Sequence, residues 1–130
     1  MGVRLTTATA NTAQNALPAN ATETVLYVTP PIIQASDASC VFFRWYLNII
    51  PGTGTSALSI RLRRGVTTAG VLLGAATWLH SVTAGLQLFL SGCYFDIPGV
   101  METAYCFTLA QSGASAAGTL QDGCLIAFIL

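Results

Sequence analysis

Hydrophobic and polar residues alternate with a period of two along most of this chain. In Leu58-Ser59-Ile60-Arg61-Leu62-Arg63 the apolar side chains fall on one face and the polar ones on the other. Val41, Phe43, Trp45, Leu47 and Ile49 line one face of an earlier run, with Arg44 and Asn48 opposite. Tyr105, Phe107 and Leu109 alternate with Cys106, Thr108 and Ala110 in the same way. Successive side chains of a strand point to opposite faces, so this period marks half-buried β-strands. A helix over the same residues would set Arg61 on the apolar face.

Such runs recur about every dozen residues: Glu23 to Thr29, Ser39 to Ile50, Ser56 to Arg64, Val71 to Leu79, Leu86 to Phe95, Glu102 to Gln111 and Thr119 to Leu130. The gaps carry turn chemistry, as in Pro30-Pro31, Pro51-Gly52-Thr53-Gly54, Thr83-Ala84-Gly85, Pro98-Gly99 and Ser112-Gly113. Proline removes a donor and fixes φ, and glycine supplies positive φ, so both end strands. The stretch Thr67 to Thr83, with Gly70, Gly74 and Ala75-Ala76, is also compatible with a short helix or loop. The expected fold is all-β: an antiparallel β-sandwich or jelly roll of seven or eight strands. A single domain is expected over residues 21–130, behind an extended N-terminal arm over residues 1–20 that is small, Thr-rich and broken at Pro18.

Two runs are apolar on both faces. They are Cys124 to Leu130, and Leu86 to Phe95, where Leu88, Phe89 and Leu90 are contiguous. A sandwich core covers one face only, and an apolar sheet face left in water aggregates. The second face therefore predicts a subunit interface built from Leu125, Ile126, Phe128, Ile129 and Leu130, with Leu88 and Phe89.

Composition sharpens this expectation. Only 8% of residues are charged against 53% hydrophobic, where a soluble domain averages roughly 25% charged. The longest apolar run, Cys124 to Leu130, is far short of the roughly 18 residues of a membrane helix, so no membrane contact is expected. Net charge is zero, and the five basic residues, all arginine, form no tail. That argues against direct nucleic-acid binding, which needs a basic arm or patch. A chain so apolar and so weakly charged is expected to hide its surface against copies of itself or a larger particle. The N-terminus has no apolar secretory segment, which predicts synthesis in a cytoplasm. In that setting Cys40, Cys93, Cys106 and Cys124 are expected as free thiols. The myristoylation-like start Met1-Gly2-Val3-Arg4-Leu5-Thr6 and the sequon Asn20-Ala21-Thr22 are chance matches on this reading.

Candidate chemistry is sparse. The single histidine, His80, is read as a polar strand-end residue, since a triad or metal site needs convergent partners. No nucleophile elbow, phosphate loop or zinc-binding spacing occurs, so no catalytic residue, metal or cofactor is expected. Asp96 and Glu102 flank the Pro98-Gly99 turn and are read as turn caps or arginine partners. Arg61 and Arg63 share a strand face and form a small basic strip. With Arg4 and Leu5 of the arm they are the candidate partner contacts. Inter-subunit ion pairs to Asp96, Glu102 or Asp122 are the plainer use of these arginines.

The stretch Ser59 to Gly74, with its R-x-R-x-G-x-T-x-x-G-x-x-L-G spacing, resembles the middle of small jelly-roll proteins of tailed-phage virions. Tyr105 to Gln111, Gly118-Thr119 and the apolar Leu125 to Leu130 fit the same domains, whose last strand is central. The resemblance implies a trimeric decoration or head-fibre module that binds the major capsid protein on the capsid exterior, with an arm reaching a neighbour or the shell. Two other readings stand beside it. One is a small jelly-roll protein that builds the shell itself. The other is a carbohydrate- or receptor-binding sandwich using Trp45, Trp78 and Tyr94.

Overall fold

The computed structural model describes residues 4–11, 15–17, 22–34, 40–55, 57–79, 86–98, 101–113 and 116–129. Among these are eleven strands and no helix: β1 (Arg4–Asn11), β2 (Asn15–Leu17), β3 (Thr24–Val28), β4 (Ile32–Gln34), β5 (Val41–Ile50), β6 (Ala57–Arg64), β7 (Val71–Leu79), β8 (Leu88–Asp96), β9 (Met101–Thr103), β10 (Tyr105–Ser112) and β11 (Gly118–Ile129). The ambiguous stretch after Thr67 is thus a tight turn followed by a full strand.

Nine of these strands build two antiparallel sheets. The first runs β1-β11-β5-β8, with β2 also on β11; the second runs β3-β10-β6-β7. The chain crosses repeatedly between sheets, and its last strand lies between the first and the fifth. That order is a jelly roll, a two-sheet sandwich of eight antiparallel strands.

Alternation decides what lies between the sheets. Val41, Phe43, Trp45, Leu47 and Ile49 of β5, Leu58, Ile60 and Leu62 of β6, Tyr105, Phe107 and Leu109 of β10, and Leu120, Leu125 and Ala127 of β11 are all buried. Phe43 meets Tyr105 edge-on at 4.8 Å between ring centroids, and Trp45 packs on Phe107 at 5.1 Å, within the 4.5–7 Å range of favourable ring pairs.

Where proline interrupts the ladder, a side chain takes over. Pro30 and Pro31 end β3, and Thr29 closes the gap: its N–H donates to the Tyr105 carbonyl (2.9 Å), and its hydroxyl accepts the Tyr105 N–H (3.0 Å). The chain then resumes pairing as β4 against β9, so the run expected over Glu102 to Gln111 is split in two. At the opposite end, Gly54 holds φ 83°, which lets Thr55 N–H reach the Gly52 carbonyl at 3.1 Å.

The segment read from sequence as an arm carries β1 and β2. β1 pairs with β11 from Arg4↔Ile129 to Asn11↔Gly123, and β2 from Leu17↔Gly118 to Asn15↔Leu120. Leu17 is fully buried. His80, Leu130 and Asn20 of the sequon lie outside the described residues.

Candidate assembly face

Registers across β11, β5 and β8 lay the outward side chains of the first sheet in four rows. They are Phe128, Phe42, Phe95; Ile126, Arg44, Cys93; Cys124, Tyr46, Ser91; and Asp122, Asn48, Phe89. Three rows are mostly apolar. Phe42 and Phe128 touch at 6.4 Å between centroids. Phe89 and Phe95 are 74% and 67% exposed, and Tyr46 is 47% exposed. Arg44, Tyr46, Ser91, Cys124, Ile126 and Phe128 rim a depression of about 240 Å³. On the β1 side, register sets Leu5, Ala8 and Ala10 beside Phe128, Ile126 and Cys124. The polar end is fixed locally: Gln87 Nε2 donates to Asn48 Oδ1 (2.6 Å), and Asn48 Nδ2 to Asp122 (3.5 Å).

Parity sorts the residues predicted to form an interface. Ile126 and Phe128 lie half-buried on this outer face, and Phe89 is exposed there. Leu125 points the other way and is 0% exposed. It belongs to the core and offers no surface to a partner, which corrects its place among the interface candidates. Leu88 and Ile129 also pack against the core while keeping partial exposure. Phe42, Tyr46 and Phe95 complete the face; the sequence signal for them was the second parity of runs already chosen for their core parity.

On the outer face of the second sheet, Arg61 and Arg63 share one carboxylate. Glu23 receives both prongs of Arg63 (Nε 2.8 Å, Nη2 3.0 Å), a contact from Arg61 at 3.2 Å, and the Thr108 hydroxyl. Arg63 Nη1 also donates to the Gly70 carbonyl at 2.8 Å. Hydrogen bonding from Arg63 holds the Glu23 carboxyl below the usual glutamate range, against the opposing effect of burial. The basic strip expected at Arg61 and Arg63 therefore carries its own counter-ion, and that counter-ion is none of Asp96, Glu102 and Asp122.

Asp96 has a different role. Its carboxylate takes Arg64 (Nη2 to Oδ1 2.7 Å, Nε to Oδ2 3.1 Å) and the Tyr105 hydroxyl (2.9 Å). Glu102 is exposed on β9. Two of the aromatic platform candidates are structural as well: Trp45 is buried and stacks on Tyr94 at 6.3 Å. Gly74 and Gly92 make room for them, since a Cβ at Gly74 would lie 2.5 Å from the Tyr94 ring and one at Gly92 2.6 Å from the Trp45 ring.

The four cysteines are free thiols. Burial pushes the Cys106, Cys124 and Cys40 thiols above the usual value, and Cys106 donates to the Thr67 carbonyl (3.4 Å). Cys93 is exposed on the outer face. Among the described residues, no three His, Cys, Asp or Glu side chains gather as a metal site. No described helix is long and apolar enough to cross a membrane.

No family model matches the chain, and no curated protein matches it in sequence. Solved structures do match. A structure of infectious bursal disease virus, Gx strain, superposes on 96% of the chain with a TM-score of 0.64 at 10% identity, covering 32% of the viral chain. A mutant VP2 protein of the same virus, solved as derived T=1 particles, gives 0.65 at 8% identity, with 96% and 31% covered. A crystal structure of a VP2 subviral particle of that virus gives 0.59 at 8% identity, with 96% and 32% covered. The chain thus spans roughly a third of the length of the viral chains it matches. At such identities the likeness is one of fold: nearly the whole chain is a jelly roll of the kind found within a viral capsid protein.

Proposed function

We propose that this chain is a structural subunit of a virus particle, acting by adhesion and not by catalysis. Its association surface is the outer face of the first sheet, centred on Phe42, Tyr46, Ile126 and Phe128. The observation that carries this reading is the pairing of a capsid-type jelly roll with an apolar outer sheet face. A stable interface buries on the order of 1,600 Å² in total, and each apolar Å² removed from water contributes roughly 25 cal/mol gross. The net affinity is smaller once association costs are met.

Within that reading the chain is a decoration subunit of tailed-phage type. It is a homotrimer made in the host cytoplasm and bound to the major capsid protein on the virion exterior. Neither nucleic acid nor membrane is among its partners. β1 is the element suited to reach a neighbour, because an edge strand is held by backbone pairing that another sheet edge can supply equally well. The second reading, a subunit that forms the shell wall itself, is favoured by the capsid proteins whose fold it shares.

Electron microscopy of the purified chain, alone and after mixing with particles from the same source, separates these outcomes. Discrete trimers that coat pre-formed particles support decoration. Closed shells formed by the chain alone support the wall reading. A protein that neither self-associates nor binds particles would overturn the proposal.

A further inference from the structure

From the outer edge of β8 we infer a specific contact with a second copy of this chain: antiparallel pairing of β8 with β8 about a two-fold axis through Gly92. The inference concerns the chain and its own copy, and does not rest on the particle reading.

β8 closes one side of the first sheet, and among the described residues no strand pairs with its far edge. It is nine residues long, Leu-Phe-Leu-Ser-Gly-Cys-Tyr-Phe-Asp. Edge strands of monomers are normally blunted by lysine, proline, a bulge or brevity. This one has none of these: its pairing with β5 is regular from Val41↔Asp96 to Ile49↔Leu88. Its only charge, Asp96, is at the end and already bound by Arg64.

The side chains are self-complementary about Gly92. An antiparallel pair centred there sets Phe89 opposite Phe95 of the other copy, and Ser91 opposite Cys93, each twice. Directly opposed residues share a sheet face and sit roughly 4.5–5.5 Å apart at Cβ, where aromatic pairs stabilise the ladder. Phe89 and Phe95, 74% and 67% exposed, would thereby cover each other. A slip of two residues in either direction breaks both Phe–Phe pairs. A slip of one would put the two sandwich cores on opposite sides of the sheet. Joined in this register, the two first sheets become one sheet of ten strands, and their apolar outer faces merge into a single surface.

The register is tested by Ser91→Cys with copper-phenanthroline as oxidant, each disulfide giving up two protons and two electrons to the reagent. Non-reducing electrophoresis should show most of the chain as covalent dimer. Ser91→Ala and the double variant Ser91→Cys/Cys93→Ala should give none. Phe89→Lys/Phe95→Lys changes only exposed side chains, so it should keep a wild-type circular dichroism spectrum while the mass by sedimentation halves, whether the pairing joins two single chains or two trimers. Absence of a Cys93-dependent dimer, or an unchanged mass in the lysine variant, would overturn the pairing. Dimers that form with neither particle binding nor closed shells would leave this pairing standing and count against the virion reading.

Discussion

Arg64 of the second sheet and Asp96 of the first are joined by a two-pronged ion pair, with Nη2 to Oδ1 at 2.7 Å and Nε to Oδ2 at 3.1 Å. Because Tyr105 donates to the same carboxylate at 2.9 Å, three strands from both sheets meet at one nearly buried acid. Removing the charge while keeping the shape, as in Asp96→Asn, should cost about 1–3 kcal/mol of unfolding free energy, the usual penalty for stripping a buried hydrogen-bonded partner. Arg64 is partly exposed, which places the expected value in the lower half of that range. In a urea-unfolding cycle, Asp96→Asn combined with Arg64→Ala should lose little more than the worse single variant. Additive losses would show that the two act separately.

Gly74 and Tyr94 form a further inter-sheet contact. Gly74→Ala drives a methyl into the ring at 2.5 Å, and the ring is anchored by its hydroxyl on the Ile60 carbonyl at 3.2 Å. Overpacking of this kind costs about 1–3 kcal/mol. The same substitution in a Tyr94→Leu background should cost clearly less, measured as the shift in denaturation midpoint between paired variants. An equal cost in both backgrounds would mean that the ring is not the obstacle.

Gln111 knots one end of the sandwich. Its buried Oε1 accepts the Gly52 N–H at 3.0 Å and the Thr55 hydroxyl at 3.3 Å, while Nε2 donates to the Leu17 carbonyl at 3.0 Å. Gln111→Leu strands the Gly52 N–H and the Leu17 carbonyl, while the Thr55 hydroxyl keeps its bond to the Gly52 carbonyl at 2.7 Å, and should destabilise by about 1–3 kcal/mol. Amide exchange should speed up first at Gly52, near the lost acceptor. Exchange that rises evenly across all strands would indicate global loosening instead.

Acid should weaken the fold partly through Glu23. Its folded pKa is lowered, chiefly by hydrogen bonding from Arg63, so its contribution is present above the unfolded value near 4.5 and fades as pH falls through the lower folded value. The denaturation midpoint should therefore drop on the acid side of pH 4.5, and Glu23→Gln should flatten that limb. A variant with the wild-type acid slope would remove Glu23 from the account.

Thiol chemistry should follow burial. Cys93 is exposed and should react first with a thiol-specific dye; Cys106 is buried and pushed up in pKa, and should react last. Reductant should leave the unfolding midpoint unchanged. Mass spectrometry finding intramolecular bridges, or labelling in the reverse order, would contradict this arrangement.

Much of the fold was legible because alternation reports local geometry. The runs at β5, β6, β8 and β11 end within two residues of the strands, since β5 and β6 have a distinct apolar parity, β8 and β11 a continuous apolar run, and all a proline or glycine at a border. β4 was not legible: Pro30-Pro31 reads as a terminus, and only the Thr29 hydroxyl, bonded 76 residues away to Tyr105, lets pairing resume. β1 has the small-residue pattern of an arm, and its place in a sheet depends on the open edge of β11, which no local signal reports. The candidate face was half legible. Two-sided strands announced a covered surface, but assigning Leu125 to the core and Phe42 to the face requires knowing which parity faces inward. The Glu23–Arg63 pair was invisible, because it depends on β3, β10 and β6 being neighbours.

The central position of β11 has a kinetic consequence. It pairs with β1 at Arg4↔Ile129 and with β5 at Val41↔Ile129, so neither partner can complete its ladder until residue 129 has been made. Long-range pairings of this kind slow folding and leave strand edges open meanwhile. During synthesis the apolar faces of β5 and β8 wait uncapped beside those of other nascent chains. Prompt folding and avoidance of misassembly therefore depend on the same few strands.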